Sequence, residues 1–563
     1  MEEFVFGTVA TVERRVGRMQ AQAQGVWHRN RLRPRAPLAL DHPIITLTTQ
    51  LPTRVERVTC FVTAPQPYSL DLECVDTQWD LLNWSYTQVW QTTLLPHPED
   101  TIVRYSLVAY PAQGEAIPAD NGERFSYRVG DPAQPEWARG AVVYQIFPDR
   151  FSPGRGRDWN PVESLSDIYG GTLRGIMDHL DYIADLGFNA IWLNPIFPDT
   201  THHGYHASDY LSVNPRLGTL EDLKELISQG QARGIRFILD FVANHWGSDH
   251  PTFQSALSDK DSPYHDWYTW QQWPYEYETF FGVRELPQIN TNNPDARAHL
   301  LESMQFWLEL GFDGLRLDYA LGPTHDFWTD FGAAALQANP HVWIFGEAVE
   351  PPDVQLSYEG RFHGCLDFLL AQMLRSTFAM ESRDFVALDA FLHQHNAFFP
   401  DSFSRPSFLD NHDLDRFLFL AQGDKRKLKL AALCQFTLPG APIVYNGTEV
   451  GISQGMHIHG PGGWGMEACR EPMRWGDEQD GDLREYFRWL IQFRRAHPVI
   501  WQGERRTLHV TPNTWVYSIA DAQETILVAL NRSDSEQIII LDDLVHTFTL
   551  PPYAGEVLVL PNP

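Results

Sequence analysis

The sequence predicts an α/β fold, a (β/α)8 TIM barrel flanked by an N-terminal β-sandwich and a small C-terminal β-domain, with an aromatic-rich insertion after the third barrel strand. Three observations predict it. Strand-like and helix-like segments alternate eight times between about residues 140 and 500. On either side, β-branched and aromatic runs recur without a convincing amphipathic helix. Four short apolar stretches within the alternating region end in polar clusters, as buried parallel strands do where they reach the open end of a barrel.

Residues 1–130 carry the runs Ile44 to Thr49, Val55 to Val62, Trp84 to Thr92 and Thr101 to Tyr110, separated by Pro, Asp and Gly turns. Asp131 to Pro135 reads as a linker. The barrel region, 137–502, opens with strand Val142 to Phe147, helix Leu173 to Leu186 and strand Ala190 to Leu193. Helix Leu220 to Ala232 precedes strand Ile235 to Phe241, helix Asp295 to Leu310 precedes Gly314 to Leu317, and helix Phe327 to Ala338 precedes Trp343 to Phe345. Strands at 363–366, 405–409 and 442–445, with helices at 367–377, 384–396 and 424–438, complete eight units. A doubly wound open sheet, the rival arrangement, seldom needs so many. The insertion, 246–290, holds Trp246, Trp267, Trp270, Trp273, Tyr264, Tyr268, Tyr275 and Phe280, too long and aromatic for a plain connection. Its rings serve either to pack a subdomain or to stack on a ligand. Residues 503–563 return to strands, with Thr507 to Val516 read as the first.

A chain of 563 residues suggests two to four domains, and 43% hydrophobic residues suffice for sizeable cores. Lys plus Arg number 43 against 72 Asp plus Glu, a formal charge of −29 that repels phosphate backbones and anionic membranes. The cluster Arg31, Arg33, Arg35 is too short to reverse that field, so neither nucleic acid nor membrane is an expected partner and a neutral substrate fits better. Five widely spaced cysteines without a CxxC suggest reduced thiols. The N-terminus lacks a basic segment followed by an apolar one, and no run of 18 apolar residues occurs; a cytoplasmic enzyme is the expectation.

The polar clusters are Asp240-Phe-Val-Ala-Asn244-His245, Gly314-Leu-Arg316-Leu-Asp318, Gly346-Glu347-Ala348 and Phe408-Leu-Asp410-Asn-His412-Asp413. Arg316 and Asp318 stand two apart on one strand and share a face, so the guanidinium is expected to lower the Asp318 pKa and keep a nucleophile ionised. Glu347, beyond the apolar Val342 to Phe345, suits a carboxylic acid held protonated for a leaving group. Asp413 and His412 suit sugar hydroxyls. Two carboxylates flanking a glycosidic oxygen fit displacement through a covalent glycosyl intermediate. His202, His203, His206 and Asp209 form a potential metal cluster, but no HExxH accompanies them. Tyr169-Gly-Gly171 and Gly460-Pro-Gly-Gly-Trp464 lack the phosphate-loop arrangement, and Gly154-Arg-Gly156 lacks the third glycine of a dinucleotide fingerprint.

Taken together, these clusters resemble the α-amylase superfamily, glycoside hydrolase family 13. DFVANH, GLRLD, GEA and FLDNHD match its four signature regions, and VYQIFPDRF (143–151), GYHASDYLSVNPRLGT (204–219), LPQIN (286–290) and REPMRWG (470–476) are further similar stretches. The resemblance implies Asp318 as nucleophile, Glu347 as acid/base and Asp413 as transition-state stabiliser. It implies sugar contacts from Tyr205, His245 and His412, with Arg316 as the partner of the nucleophile, Asp240 near Arg316, and Arg416 also substrate-binding. The N-terminal β-domain and LPQIN resemble the neopullulanase, cyclomaltodextrinase and maltogenic-amylase branch. That branch carries a carbohydrate-binding-like sandwich, often forms homodimers, and cleaves α-1,4 links of short or cyclic glucans. The chemistry itself requires no cofactor. Where relatives place a calcium site after the first strand, this chain has Ser152-Pro-Gly-Arg155-Gly-Arg-Asp158, whose arginines repel a cation; Asn244 is a candidate ligand for another calcium position. The alternatives are a 4-α-glucanotransferase or exo-acting α-glucosidase using the same carboxylates, and a non-catalytic glucan-binding protein, which predicts a lost nucleophile or acid.

Overall fold

The computed structural model describes residues 16–17, 19–21, 23–459, 465–541 and 546–561; the Gly460 to Trp464 stretch lies outside them. The chain divides into two compact units. One comprises Met1–Ala133, Leu321–Pro340 and Glu350–Gly364, and the other Gln134–Ala320, His341–Val349 and Cys365–Pro563.

In the first unit nine antiparallel strands form one continuous sheet around a core that includes Ile45, Leu47, Val58, Leu107 and Phe125. The strand Tyr68–Asp80 joins the halves: Val58 to Val62 pairs with its start, through Leu72, and its remainder pairs with Ser85–Thr93 from Glu73 onward. This linking strand has no counterpart among the runs recognised above, because most of its side chains are polar or exposed. The helix His325–Ala338, capped by the Thr324 side chain, belongs to the same unit and starts two residues earlier than its apolar pattern suggests.

The second unit contains the barrel sheet. Its strands are β1 (Val143–Ile146), β2 (Ala190–Leu193), β3 (Arg236–Val242), β4 (Gly314–Asp318), β5 (Trp343–Gly346), β6 (Gly364–Cys365), β7 (Ser407–Phe408) and β8 (Pro442–Tyr445). They follow one another in sequence order around the sheet, and β1 pairs in parallel with both β2 and β8. Every pair in the ring except β6 with β7 is laddered among the described residues, so the barrel is nearly closed. Complete burial explains the unbroken apolar character of β2, β5 and β8, whereas the equally buried β1 and β4 carry Gln145, Arg316 and Asp318 into the site. The two longer helices flanking β3 start at side-chain caps: Thr219 and Asp222 form a capping box for Leu220–Gln231, and Asn293 precedes Pro294 at the head of Pro294–Leu310.

Two expectations change, and the insertion takes a definite form. The helix expected over Leu173 to Leu186 is two pieces, Leu173–Met177 and Leu180–Leu186, parted at His179, whose ring stacks 3.7 Å from Trp475. The insertion folds as helix Pro251–Ser258 and a two-stranded ribbon, Trp270–Gln272 with Glu276–Tyr277; Trp246, Trp267 and Tyr268 are buried within it. At the C-terminus, Thr507 to Val516 is a hairpin, not one strand, because Thr511-Pro-Asn513 turns the chain between Glu504–Val510 and Thr514–Ala520. A four-stranded and a two-stranded sheet there share one apolar core, with Val516, Leu527 and Phe548 at its centre.

Candidate active site

Register assembles the first half of the site. Asp240 on β3 pairs with Arg316 on β4, and Arg316 pairs with Phe345 on β5, so residues at these levels stand side by side in the barrel. Alternation then places Asp318 on the face of Arg316, two residues nearer the open end. The Arg316 Nη1 donates to Asp240 Oδ1 at 2.7 Å and to Asp318 Oδ1 at 2.8 Å, while Nη2 lies 2.8 Å from Glu347 Oε2. One guanidinium thus touches three carboxylates. Just past Asp318, Tyr319 adopts φ 38°, and its N–H donates to Glu347 Oε2 at 3.1 Å. This left-handed turn is costly for a tyrosine and aims the amide at the carboxyl of Glu347.

Burial raises the pKa of Asp318 and, with added repulsion from Asp240 and Asp413, prevails over the opposing Arg316. The expectation that the guanidinium would hold Asp318 below the ordinary range is therefore corrected: three acids share one cation in a dry site. Glu347 is raised too, first by burial and then by Asp318 and Asp413 against the opposing Arg316, as its position after an apolar strand suggested. Arg316 stays charged, held above its ordinary value by Asp240 and Glu347 despite complete burial. Such a cluster retains a proton near neutrality more readily than isolated carboxyls, the condition for one acid beside one nucleophile.

The second half has the opposite balance. Asp413 Oδ2 meets His412 Nε2 at 2.9 Å, and Asp413 Oδ1 accepts from Arg470 Nη2 at 2.9 Å. Burial opposes ionisation there, but His412, Arg470 and Arg316 together hold the carboxyl well below its usual range. Gln145 Nε2 lies 2.8 Å from His412 Nδ1 and donates to it, which leaves the imidazole proton on Nε2, facing Asp413 and the Tyr205 hydroxyl at 2.6 Å. Tyr205 in turn donates to Asp240 Oδ2 at 2.9 Å and stacks on His412 with an interplanar angle of 4°. Gly204 permits this placement: φ is +82°, and a Cβ would fall 2.3 Å from the Pro195 carbonyl oxygen.

The structure therefore links Tyr205, Asp240, Arg316, Asp318, Glu347, His412 and Asp413 in one network. His245 is buried beside His206, with its ring against Phe280; burial pushes its pKa down to about 3, and its Nε2 has no protein partner among the described residues. A neutral imidazole nitrogen in that position suits a ligand hydroxyl. Arg416 is different. It is fully buried, donates to the carbonyls of Cys469 and Asn446 and lies 3.9 Å above the Tyr445 ring, outside the network.

Calcium fits the donors poorly. Asn244 Oδ1 is a buried acceptor without a partner among the described residues, but calcium takes six to eight oxygens. No group of three or more His, Cys, Asp or Glu able to hold a metal gathers among the described residues. In the segment after β1, Arg155 and Arg157 accompany Asp158 and Asp178 around a cavity of about 430 Å³ lined by neither Asp318, Glu347 nor Asp413, so positive charge offsets the acids there.

Three features escaped the reading of the sequence. Trp192 on β2 donates to Asp240 Oδ2 at 3.1 Å and carries Arg316 over its ring; a buried indole in a barrel strand, needing an acceptor, is the signal that points to it. Gln145 and Asn194 fix His412 and Tyr205 from the ends of β1 and β2. Arg470 lies in a recognised motif, yet nothing local to that motif shows that its partner is Asp413, 57 residues earlier.

The comparisons agree with this geometry. The α-amylase catalytic-domain family matches residues 145–501, and the chain belongs to the α-amylase family, glycoside hydrolase family 13, in its neopullulanase and cyclomaltodextrinase branch. "Alpha-amylase 2" of Dictyoglomus thermophilum is 35% identical over 479 residues, covering 84% of this chain and 82% of that protein. A cyclomaltodextrinase from a Bacillus species is also 35% identical, over 74% of this chain and 77% of its own. The ligand-free cyclic α-maltosyl-(1→6)-maltose hydrolase of Arthrobacter globiformis superposes with a TM-score of 0.71 at 30% identity, over 76% of this chain and all of that one. The chain is accordingly a glycoside hydrolase of the α-glucan-cleaving, retaining type.

Proposed function

We propose that this enzyme hydrolyses α-1,4 bonds of short and cyclic glucans, with Asp318 as nucleophile, Glu347 as acid/base and Asp413 as stabiliser of the transition state. The observation that carries the assignment is the Arg316 guanidinium bridging Asp318 and Glu347, with Asp413 reaching the same network through His412 and Tyr205. An Asp318 oxygen attacks the anomeric carbon as the bond from that carbon to the glycosidic oxygen breaks, and Glu347 gives its proton to the departing oxygen. Water then attacks the anomeric carbon, its proton passes to Glu347, and the ester bond to Asp318 breaks. Asp413 and His412 hold ring hydroxyls, and these contacts tighten as the sugar flattens and gains positive charge.

Preference for cyclic or short substrates draws support from relatives: one is a cyclomaltodextrinase, and a structural neighbour hydrolyses a cyclic maltosyl-maltose. A purely glucan-binding protein would not need a nucleophile and an acid gripped by one buried arginine. Side-by-side reducing-end release from cyclodextrin, maltotriose, pullulan and starch tests the reading. Cyclodextrin and maltotriose are expected to turn over faster than starch, with an α-anomeric first product. Starch preferred by tenfold or more would contradict the substrate choice, and no activity on any of them would contradict the reaction.

A further inference from the structure

Arg470 is gripped from three directions, and only one grip belongs to Asp413. Its Nε donates to the His412 carbonyl at 2.9 Å, Nη2 to Asp413 Oδ1 at 2.9 Å, and Nη1 to Glu467 Oε1 at 2.9 Å. Glu467 is itself divided: its Oε2 lies 2.7 Å from His202 Nε2, on the segment that follows β2. Phe147, at the end of β1, supports both members, with the Arg470 guanidinium 5.5 Å and the His202 ring 6.0 Å from its centroid. The His202, Arg470 and Glu467 side chains are 5%, 6% and 21% exposed, so the chain of contacts is largely shielded from water.

We propose that Glu467 is a positioning residue that acts through Arg470 to aim the Asp413 carboxylate, and that His202 anchors Glu467 in this task. The inference rests on the role of Asp413 set out above. A guanidinium facing a single carboxylate swings to engage both of its oxygens, which is the preferred fork geometry. In this protein Glu467 pulls Nη1 the other way, so Asp413 meets Arg470 through Oδ1 alone and keeps lone pairs on both oxygens for sugar hydroxyls. Without Glu467, Arg470 keeps only its Nε tether to the His412 carbonyl, and Nη1 is released to turn towards Asp413 and draw those lone pairs away. Arg150 is the other cation that Glu467 senses, and His203, whose pKa burial holds well below its ordinary value, lies beside Asp413 and Arg470; neither supplies the counter-pull on Nη1.

The test is a double-mutant cycle. The wild type, Glu467→Ala, Asp413→Asn and the double variant are assayed with α-maltosyl fluoride, whose good leaving group keeps weakened variants measurable. Glu467→Ala is expected to lower kcat by roughly 10- to 50-fold with KM within about 2-fold, and to lower it by less than about 2-fold further in the Asp413→Asn background. Glu467→Gln, which keeps one acceptor for Arg470, is expected to recover all but about 5-fold of the loss. If Glu467→Ala does not fold, Glu467→Gln carries the same cycle, with a smaller kcat loss confined to the Asp413 background. A kcat unchanged by either variant, an equal loss in both backgrounds, or a loss only in KM would overturn the inference. An active wild type without coupling would overturn this inference alone, whereas an inactive wild type would overturn the proposed function and this inference with it.

Discussion

The two halves of the site use arginine in opposite ways. Around Arg316, which is fully buried, three largely buried carboxylates share one cation, and both Asp318 and Glu347 are driven towards protonation. Around Asp413, Arg470 and His412 converge on a single carboxylate, with Glu467 on the far side of Arg470, and Asp413 stays ionised well into acid. The difference matches the work assigned to each. The first half must hold a proton to give away and a neighbour to attack with. The second must present fixed negative charge and never change state. Proton affinity here follows the donors that converge on each carboxyl against the acids that crowd it, since burial opposes ionisation in both halves.

Substitutions in the first half are expected to have the largest effects. Asp318→Asn removes the attacking oxygen and is expected to lower kcat at least about 10⁴-fold while leaving maltohexaose binding by calorimetry within a few-fold. Glu347→Gln is expected to cost about 10³-fold on maltotriose but far less on α-maltosyl fluoride, whose leaving group needs no proton; equal losses on both would break the acid assignment. Arg316→Lys keeps the charge but loses the fork, with an expected loss of about 10²-fold in kcat/KM. The sign of its pH effect follows from the contacts. Arg316 lowers the proton affinity of Asp318 and Glu347, so weakening it raises both and moves both limbs of the kcat/KM profile to higher pH. A downward shift would contradict the shared-cation account. In contrast, Asp413→Asn is expected to reduce kcat strongly and to move both limbs to lower pH, because it removes a fixed negative charge that raises Asp318 and Glu347. The smallest effect concerns support: Gly204→Ala is expected to destabilise by about 1–3 kcal/mol, read as a lower Tm, and to disturb Tyr205.

The same contrast explains what the sequence disclosed. The first half is local: Arg316 and Asp318 stand two apart, and Asp240 and Glu347 close neighbouring apolar strands, so strand periodicity alone brings them together. The second half depends on long-range pairing. Gln145, Tyr205, His412 and Arg470 come from four separate stretches of chain, and no local pattern reveals that they touch. Electrostatics was legible only as pairs, which is why Asp318 was expected to be lowered; the crowd of acids around Arg316 appears only in three dimensions. The barrel strands were legible because burial on both faces leaves them mostly apolar, with the few polar residues near the ends of β1, β3 and β4 marking the site. The polar strand Tyr68–Asp80 and the hairpin at Thr511 to Asn513 were not, since exposure erases alternation and a short turn hides within β-branched residues.

Covalent trapping tests the central claim most directly. A 5-fluoro-α-glucosyl fluoride is activated at its leaving group but forms a slowly hydrolysed intermediate, so digestion and mass spectrometry of the labelled protein reveal which side chain attacked. The account predicts a single glycosyl ester on the peptide containing Asp318, absent from Asp318→Asn. A label on Glu347 or Asp413, or an active enzyme that accumulates no ester on Asp318, would contradict it.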